Sequence, residues 1–400
     1  MAEAARENPP GYLELLRPPG IPGLFAGALI GRISFGMMPV GVVLFIARST
    51  GSFSTAGLAM AAYSIGTVVA GPARSWISVR AGHARALLMM SMVSGSALIL
   101  LVVAGGGPSW LLIALTAGSG CSMPPFGALM RVGWSRRLPP QWVSRAFGLD
   151  SVVEEATFVV GPLLATGAVA LSGAWLAVLA GGAVCLLGGL LMASAADRGG
   201  PEAAADENDD GGLWTVARST RWVLVVFLGV GFAIGALEVA IPGFALESGH
   251  ASMSGGLLAT LALGSAIAAL FYGRREWRTG AASRLIVLSL LLAAGTALMA
   301  AVDGLVLAAP LLVVVGVAMG PAVITAYLLA DTLMDGVAAK THAAILASVV
   351  CNGGAGLGAA ASGLAITDLG AGQAFLLCGT VTAIATGAGS LIYARNPKPS

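Results

Sequence analysis

The sequence predicts an all-α integral membrane protein with twelve transmembrane helices in two six-helix bundles. Composition, the length of the apolar runs and the placement of positive charge carry that prediction. Of 400 residues, 57% are hydrophobic and only 10% are charged, with a mean hydropathy of +0.89. Soluble domains carry about 25% charged residues, so this composition cannot coat a water-exposed globule. A formal net charge of +2 gives no electrostatic support for a nucleic-acid partner. The expected partners are the lipid bilayer, a small molecule and protons, with the monomer as the expected working unit.

A membrane-crossing helix needs about 20 mostly apolar residues. Twelve runs qualify: 21–45, 55–70, 86–104, 110–130, 146–171 and 175–193 in the first half, then 222–245, 254–272, 285–302, 306–329, 341–366 and 371–393. Spans three and four, and five and six, are joined by very short loops, and charge parity supports separating them. With twelve spans, all 21 Lys and Arg residues except Arg32 and Arg48 fall in the termini and the even-numbered loops. The positive-inside rule then puts both termini in the cytoplasm of a multi-pass protein of the cell (plasma) membrane. All eight Trp fall at or near span ends, the pattern of an interfacial belt. Residues 1–20 lack the apolar core of a cleaved signal peptide.

The predicted domains are a cytoplasmic tail (1–20), an N-terminal bundle (21–193), a linker (194–221), a C-terminal bundle (222–394) and a short cytoplasmic tail (395–400). The linker is hydrophilic and acidic, with Asp197, Glu202, Asp206, Glu207, Asp209 and Asp210, and reads as a solvated tether. The halves look duplicated. Ser151-Val152-Val153 returns as Ser348-Val349-Val350, and Gly161 matches Gly358 at the same offset. Gly57, Leu58 and Gly66 match Gly256, Leu257 and Gly264 at nearly that offset. Parallel repeats of this kind place a central cavity between two bundles.

The whole-chain pattern resembles the major facilitator superfamily: twelve spans, six plus six, with an acidic middle loop. The resemblance implies the major facilitator fold and transport by alternating access. In that family the loop after span two reads like G-x-x-x-D-R-x-G-R-R and gates the cytoplasmic side. Here Arg80 and Gly82 match, Arg85 supplies a basic residue one place late, and Val79 stands at the acidic position. Span five resembles the glycine ladder of the family's drug/proton antiporters, through Gly148, Gly161 and Pro162, with Thr157 and Ala165 at usual glycine positions. This resemblance implies proton-coupled efflux of a small hydrophobic compound. The arginine usual in span four is absent, Ala114 standing there, and Arg32 is its candidate substitute. An importer of a small metabolite, such as a sugar, is the alternative, and a sensor or enzyme on the same fold is the next.

Charges inside the spans are the informative residues, because each costs about 2.5–3.5 kcal/mol at the bilayer centre unless paired or hydrated. At ~1.5 Å per residue, Arg32 lies roughly 17 Å into span one, and Glu154 and Glu155 roughly 14–15 Å into span five. The matched depth predicts an Arg32–glutamate pair, which reads as a proton-coupling device, with a structural salt bridge as the alternative. Asp150, Glu154, Thr157 and Gly161 share one helical stripe. Glu238, Phe35, Met38 and Asn352 are candidates for a substrate cavity or its outer exit. Pro39 and Pro162 are expected to kink their helices, with Gly148 and Gly161 allowing close packing. Cys121, Cys185, Cys351 and Cys378 lie in apolar runs with no paired spacing, and three separated histidines offer no metal cluster. No cofactor is expected beyond a proton gradient as energy source, and no metalloprotease or P-loop string is present, so no enzyme activity is expected.

Overall fold

The computed structural model describes residues 12–196, 213–274, 277–334 and 337–395. The acidic stretch 197–212 of the linker lies outside them. The described chain is almost entirely helical. A short α1 (Tyr12–Leu15) precedes α2 (Ile21–Thr50), α3 (Phe53–Val69), α4 (Gly71–Ala81), α5 (His83–Val103), α6 (Ser109–Ser122), α7 (Phe126–Arg137), α8 (Pro140–Ser172) and α9 (Ala174–Ala195). The second half comprises α10 (Leu213–Glu247), α11 (Ser254–Arg274), α12 (Ala281–Leu298), α13 (Leu305–Thr332), α14 (Val337–Leu369) and α15 (Ala371–Arg395). Among the described residues, eleven stretches are long and apolar enough to cross a membrane, counting α6 and α7 together, and α3 with the start of α4 makes a twelfth, bent by 52°.

Three local features differ from the sequence reading. The loop expected after span two is helical. Pro72 starts α4 and nothing between Ala73 and Ala81 breaks it, so Arg80 sits on α4, where it stacks over the Trp76 ring at 4.3 Å. The turn itself is Gly82, whose φ of +81° is open to glycine at no steric cost. Exposed Arg85 falls in the first turn of α5. Span four is not continuous, because Pro124 and Pro125 lack N–H donors and separate α6 from α7. Arg74 mends both irregularities. It donates to the Met123 carbonyl at 2.8 Å, at the α6–α7 break, and also to the Thr67 carbonyl before the α3–α4 bend. The linker is shorter than read, since α10 begins at Leu213.

The aromatic belt is also only partial. Trp134 is fully buried, 6.0 Å from the Phe25 ring, and Trp222 is buried against Tyr393 at 4.7 Å. Both are core residues at span ends rather than lipid anchors. Trp76, Trp110, Trp175 and Trp214 are exposed as a belt requires.

The duplication is visible in the packing. In the first half α2 packs on α8 and α9, α3 on α6, and α5 on α9; the repeat-related pairs α10 with α14 and α15, α11 with α13, and α12 with α15 do the same. The matched glycines do equivalent work. A Cβ on Gly66 would come within 3.0 Å of Ala117 and Cys121 of α6, and one on Gly264 within 2.9 Å of Val313 of α13. Gly161 abuts Gly36 of α2, and Gly358 abuts Phe232 of α10. Two seams join the halves: α3 against α14, and α8 against α11. Both are closed by small residues at the span ends remote from the basic loops. There, a Cβ on Gly57 would meet Gly363 at 2.9 Å and one on Gly255 would meet Pro162 at 2.7 Å, while the Ser54 N–H donates to Thr367 Oγ1 at 2.8 Å. Absent side chains let backbones approach, which is how helices associate where lipid removes the hydrophobic drive.

Candidate functional site

Between the halves the helices leave two cavities that share one partition. The larger, about 760 Å³, lies toward the basic loops, lined by Arg32, Glu154, Thr157 and Asn352 together with the α3–α4 bend and the α6–α7 break. The smaller, about 250 Å³, lies at mid-depth among α2, α8, α10, α11 and α13. Phe35 and Phe158 line both, their rings 5.9 Å apart and edge-to-face. Pro39 and Pro162, four residues beyond each phenylalanine, line the smaller cavity. A proline removes the helical N–H that would bond the carbonyl four residues earlier, so the backbone is loosened at both sides of the partition.

Arg32 does not pair with Glu154. Its Nη2 donates to Asp150 Oδ1 at 2.8 Å and Oδ2 at 3.0 Å, and its Nη1 to the Asp150 carbonyl at 3.4 Å. Both residues are buried, Asp150 completely. Arg131 of α7 completes the network, with Nε 3.3 Å from Asp150 Oδ2 and Nη2 3.2 Å from Glu154 Oε2. Helical side chains lean toward their own N-terminus. On α2 that direction is toward the basic loops, and the long arginine reaches a carboxylate one turn nearer them than its own depth suggests. Gly127 makes room, since a Cβ there would lie 3.0 Å from Arg32 Nη2. The Glu155 side chain lies outside the described residues.

Glu238 is placed differently from an outer-exit residue. It projects into the smaller cavity among Ile234, Leu258, Leu261, Met319 and Val323. Among the described residues it makes no hydrogen bond or ion pair; Tyr63 and Cys351 are within electrostatic reach. Tyr63 is buried with its hydroxyl unbonded, its ring 6.2 Å from Phe35. Asn352 lines the larger cavity and donates to the Ser348 carbonyl at 2.8 Å.

Met38 is not a cavity residue. It is buried within the first half, its Cε 3.0 Å from where a Gly181 Cβ would be. Among the described residues nothing lies within 4 Å of a Cβ on Gly148, so no close helix contact is made there. Sequence reasoning does not single out Asp150, Arg131 or Phe158 as site residues. The stripe Asp150–Glu154–Thr157 points to the first, and nothing short of the tertiary fold identifies the other two.

A model of the Major Facilitator Superfamily matches residues 24–350. The chain belongs to that family. Solved structures agree with the fold. A point mutant of the nucleoside transporter NupG superposes with a TM-score of 0.76 at 11% identity, covering 93% of this chain and 100% of its own. An auto-inhibited POT family peptide transporter gives 0.71 at 12%, covering 95% and 99%. The human organic anion transporter MFSD10 (TETRAN) gives 0.59 at 15%, covering 92% and 98%. A search of curated proteins finds no match. Family and fold make this superfamily member a transporter rather than an enzyme.

Proposed function

We propose that the chain is a proton-coupled exporter of small, mostly apolar compounds bearing a positive charge, with both termini in the cytoplasm of a cell that carries it in its plasma membrane. One observation supports this above the rest: Glu238, a carboxylate with no hydrogen bond or ion pair among the described residues, sits in a largely apolar cavity between two bundles. An anion in that setting gains from a cationic ligand or from a proton, and the two compete for it. That competition is what antiport requires.

The basic loops mark the cytoplasmic face, and the 760 Å³ cavity lies on that side. A substrate enters there, passes Phe35 and Phe158, and is held by Glu238. Rocking of the halves opens the glycine seams on the far side, where the proton displaces it. Arg32, Asp150, Arg131 and Glu154 hold α2, α7 and α8 together as one body during the rocking, and Glu154, with a 43% exposed side chain, is the network member a proton reaches from the cytoplasmic cavity. The nucleoside and peptide transporters named above share the scaffold, and at 11–12% identity they do not choose a substrate.

The test is collapse of an imposed proton gradient in inverted vesicles, read with a pH-sensitive dye against a panel of lipophilic cations, neutral compounds and anions. Wild type is expected to respond to cations, and Glu238→Gln is not. A wild type that responds to no compound overturns coupled export, and an undiminished cation response in Glu238→Gln overturns the role of that residue.

A further inference from the structure

A third cavity, about 630 Å³, lies away from the axis where α11, α12 and α13 meet near the basic loops. Its apolar wall is Ile267, Phe271, Val287 and Val317, and Phe271 and Val287 are 69% and 54% exposed, so the groove faces lipid. Its end toward the basic loops is an aromatic corner. The rings of Tyr272 and Trp277 lie 4.8 Å apart, and the Arg284 guanidinium sits 5.4 Å from the centre of each.

The polar handles of the aromatics are already used. Trp277 Nε1 donates to the Tyr272 carbonyl at 3.1 Å, and Tyr272 Oη shares a hydrogen bond with Thr325 Oγ1 at 2.7 Å. Arg284 is the exception. Among the described residues its guanidinium makes no hydrogen bond or ion pair, and its Nε is buried without an acceptor. Ring faces stabilise a cation but accept none of the five N–H bonds a guanidinium offers. Exposed Arg278, in the described part of the connecting segment, adds a second positive charge. A fixed guanidinium seeking oxygen acceptors, at the end of a lipid-facing apolar groove, calls for a ligand with an anionic head joined to a hydrocarbon chain.

We propose that this groove holds one anionic phospholipid, with its phosphate on Arg284 and an acyl chain along Ile267, Phe271, Val287 and Val317. The site is independent of transport direction and of Glu238. It ties spans eight, nine and ten to the composition of the surrounding leaflet.

The experiment uses the full chain purified in detergent, titrated with phosphatidylglycerol, phosphatidylcholine or inorganic phosphate, with bound lipid counted by native mass spectrometry and melting followed in parallel. Wild type is expected to retain one phosphatidylglycerol per chain with roughly tenfold preference over phosphatidylcholine, whose choline ammonium offsets the phosphate charge that Arg284 attracts. Arg284→Gln is expected to lose that preference. Val287→Trp keeps the charge, fills the groove from an exposed position and is expected to lose the lipid as well. Equal retention of phosphatidylglycerol by all three proteins overturns the proposal, and so does inorganic phosphate reproducing the melting shift, which would make the site one for a free anion.

Discussion

Removing Arg32 tests the buried charge network directly. Asp150 is completely buried and takes two bonds from one guanidinium, with side-chain exposure of 8% for Arg32 and 0% for Asp150. Breaking one partner of a buried pair costs about 3–5 kcal/mol, because the other charge is left behind. Arg131 still faces Asp150 at 3.3 Å but is 48% exposed, so water screens what it offers and it replaces only part of the loss. The expected cost of Arg32→Met is therefore about 3 kcal/mol, at the lower end of that range. Asp150→Leu strands Arg32 and is expected to cost as much. The double variant Arg32→Met with Asp150→Leu removes both charges, leaves the Arg131–Glu154 contact at 3.2 Å, and should recover most of the loss, since apolar replacements of buried pairs are often neutral. Equilibrium unfolding in mixed micelles, followed by tryptophan fluorescence, to which the buried Trp134 and Trp222 contribute, gives all four corners of the cycle. Single losses below about 1 kcal/mol, the scale of an exposed pair, would refute the reasoning, and so would a double variant as unstable as the sum of the singles.

Gly57→Val is expected to force apart the seam between α3 and α14, because the added Cβ lands 2.9 Å from Gly363. In a background without the native cysteines, a cysteine at Ser362, which is buried next to Gly363, should then react with an impermeant thiol reagent at least about tenfold faster, a modest 1.4 kcal/mol shift in opening. Glu238→Gln loses no protein partner on folding, so its melting should stay close to wild type, within the roughly ±0.5 kcal/mol of an innocuous substitution, whatever happens to transport. Phe158→Ala merges the two cavities and is expected to widen the size range of bound compounds in a ligand-shift melting assay. Neutralising the exposed Lys340–Asp331 pair, 3.1 Å apart with both side chains about half exposed, should change stability by less than about 1 kcal/mol.

The spans were legible because the bilayer imposes a length and the loops carry a charge rule, and both are properties of sequence. The helical nature of the segment after span two was legible in principle too: Pro72 is a good first-turn residue and no breaker follows until Gly82. A motif that names the segment a loop hid that signal. The partner of Arg32 was a different kind of problem. Counting rise gives the depth of a Cα but not the azimuth of the helix or the reach of a long side chain, and those decide between Asp150 and Glu154. Phe158 and Arg131 could not have been found at all, since an aromatic and a basic residue at those positions are ordinary. Their roles arise only because α2, α7 and α8 converge.

The repeat makes the difference between the halves meaningful. At the offset that carries Ser151 to Ser348 and Gly161 to Gly358, Asp150 corresponds to Ala347, Glu154 to Cys351 and Glu155 to Asn352. The scaffold was kept, as the equivalent glycine contacts show, while the charges were kept in one half only. A charged network confined to α2, α7 and α8 adds rigidity to the first bundle without resisting its rotation against the second, because none of these bonds crosses a seam. Glu238 belongs to the second bundle, and one side of its cavity is formed by Phe35, Pro39, Phe158 and Pro162 of the first. Any rocking motion must therefore change the surroundings of Glu238 while leaving Asp150 nearly untouched. In the proposed cycle the carboxylate that exchanges its proton for substrate is the one whose cavity is walled by both halves.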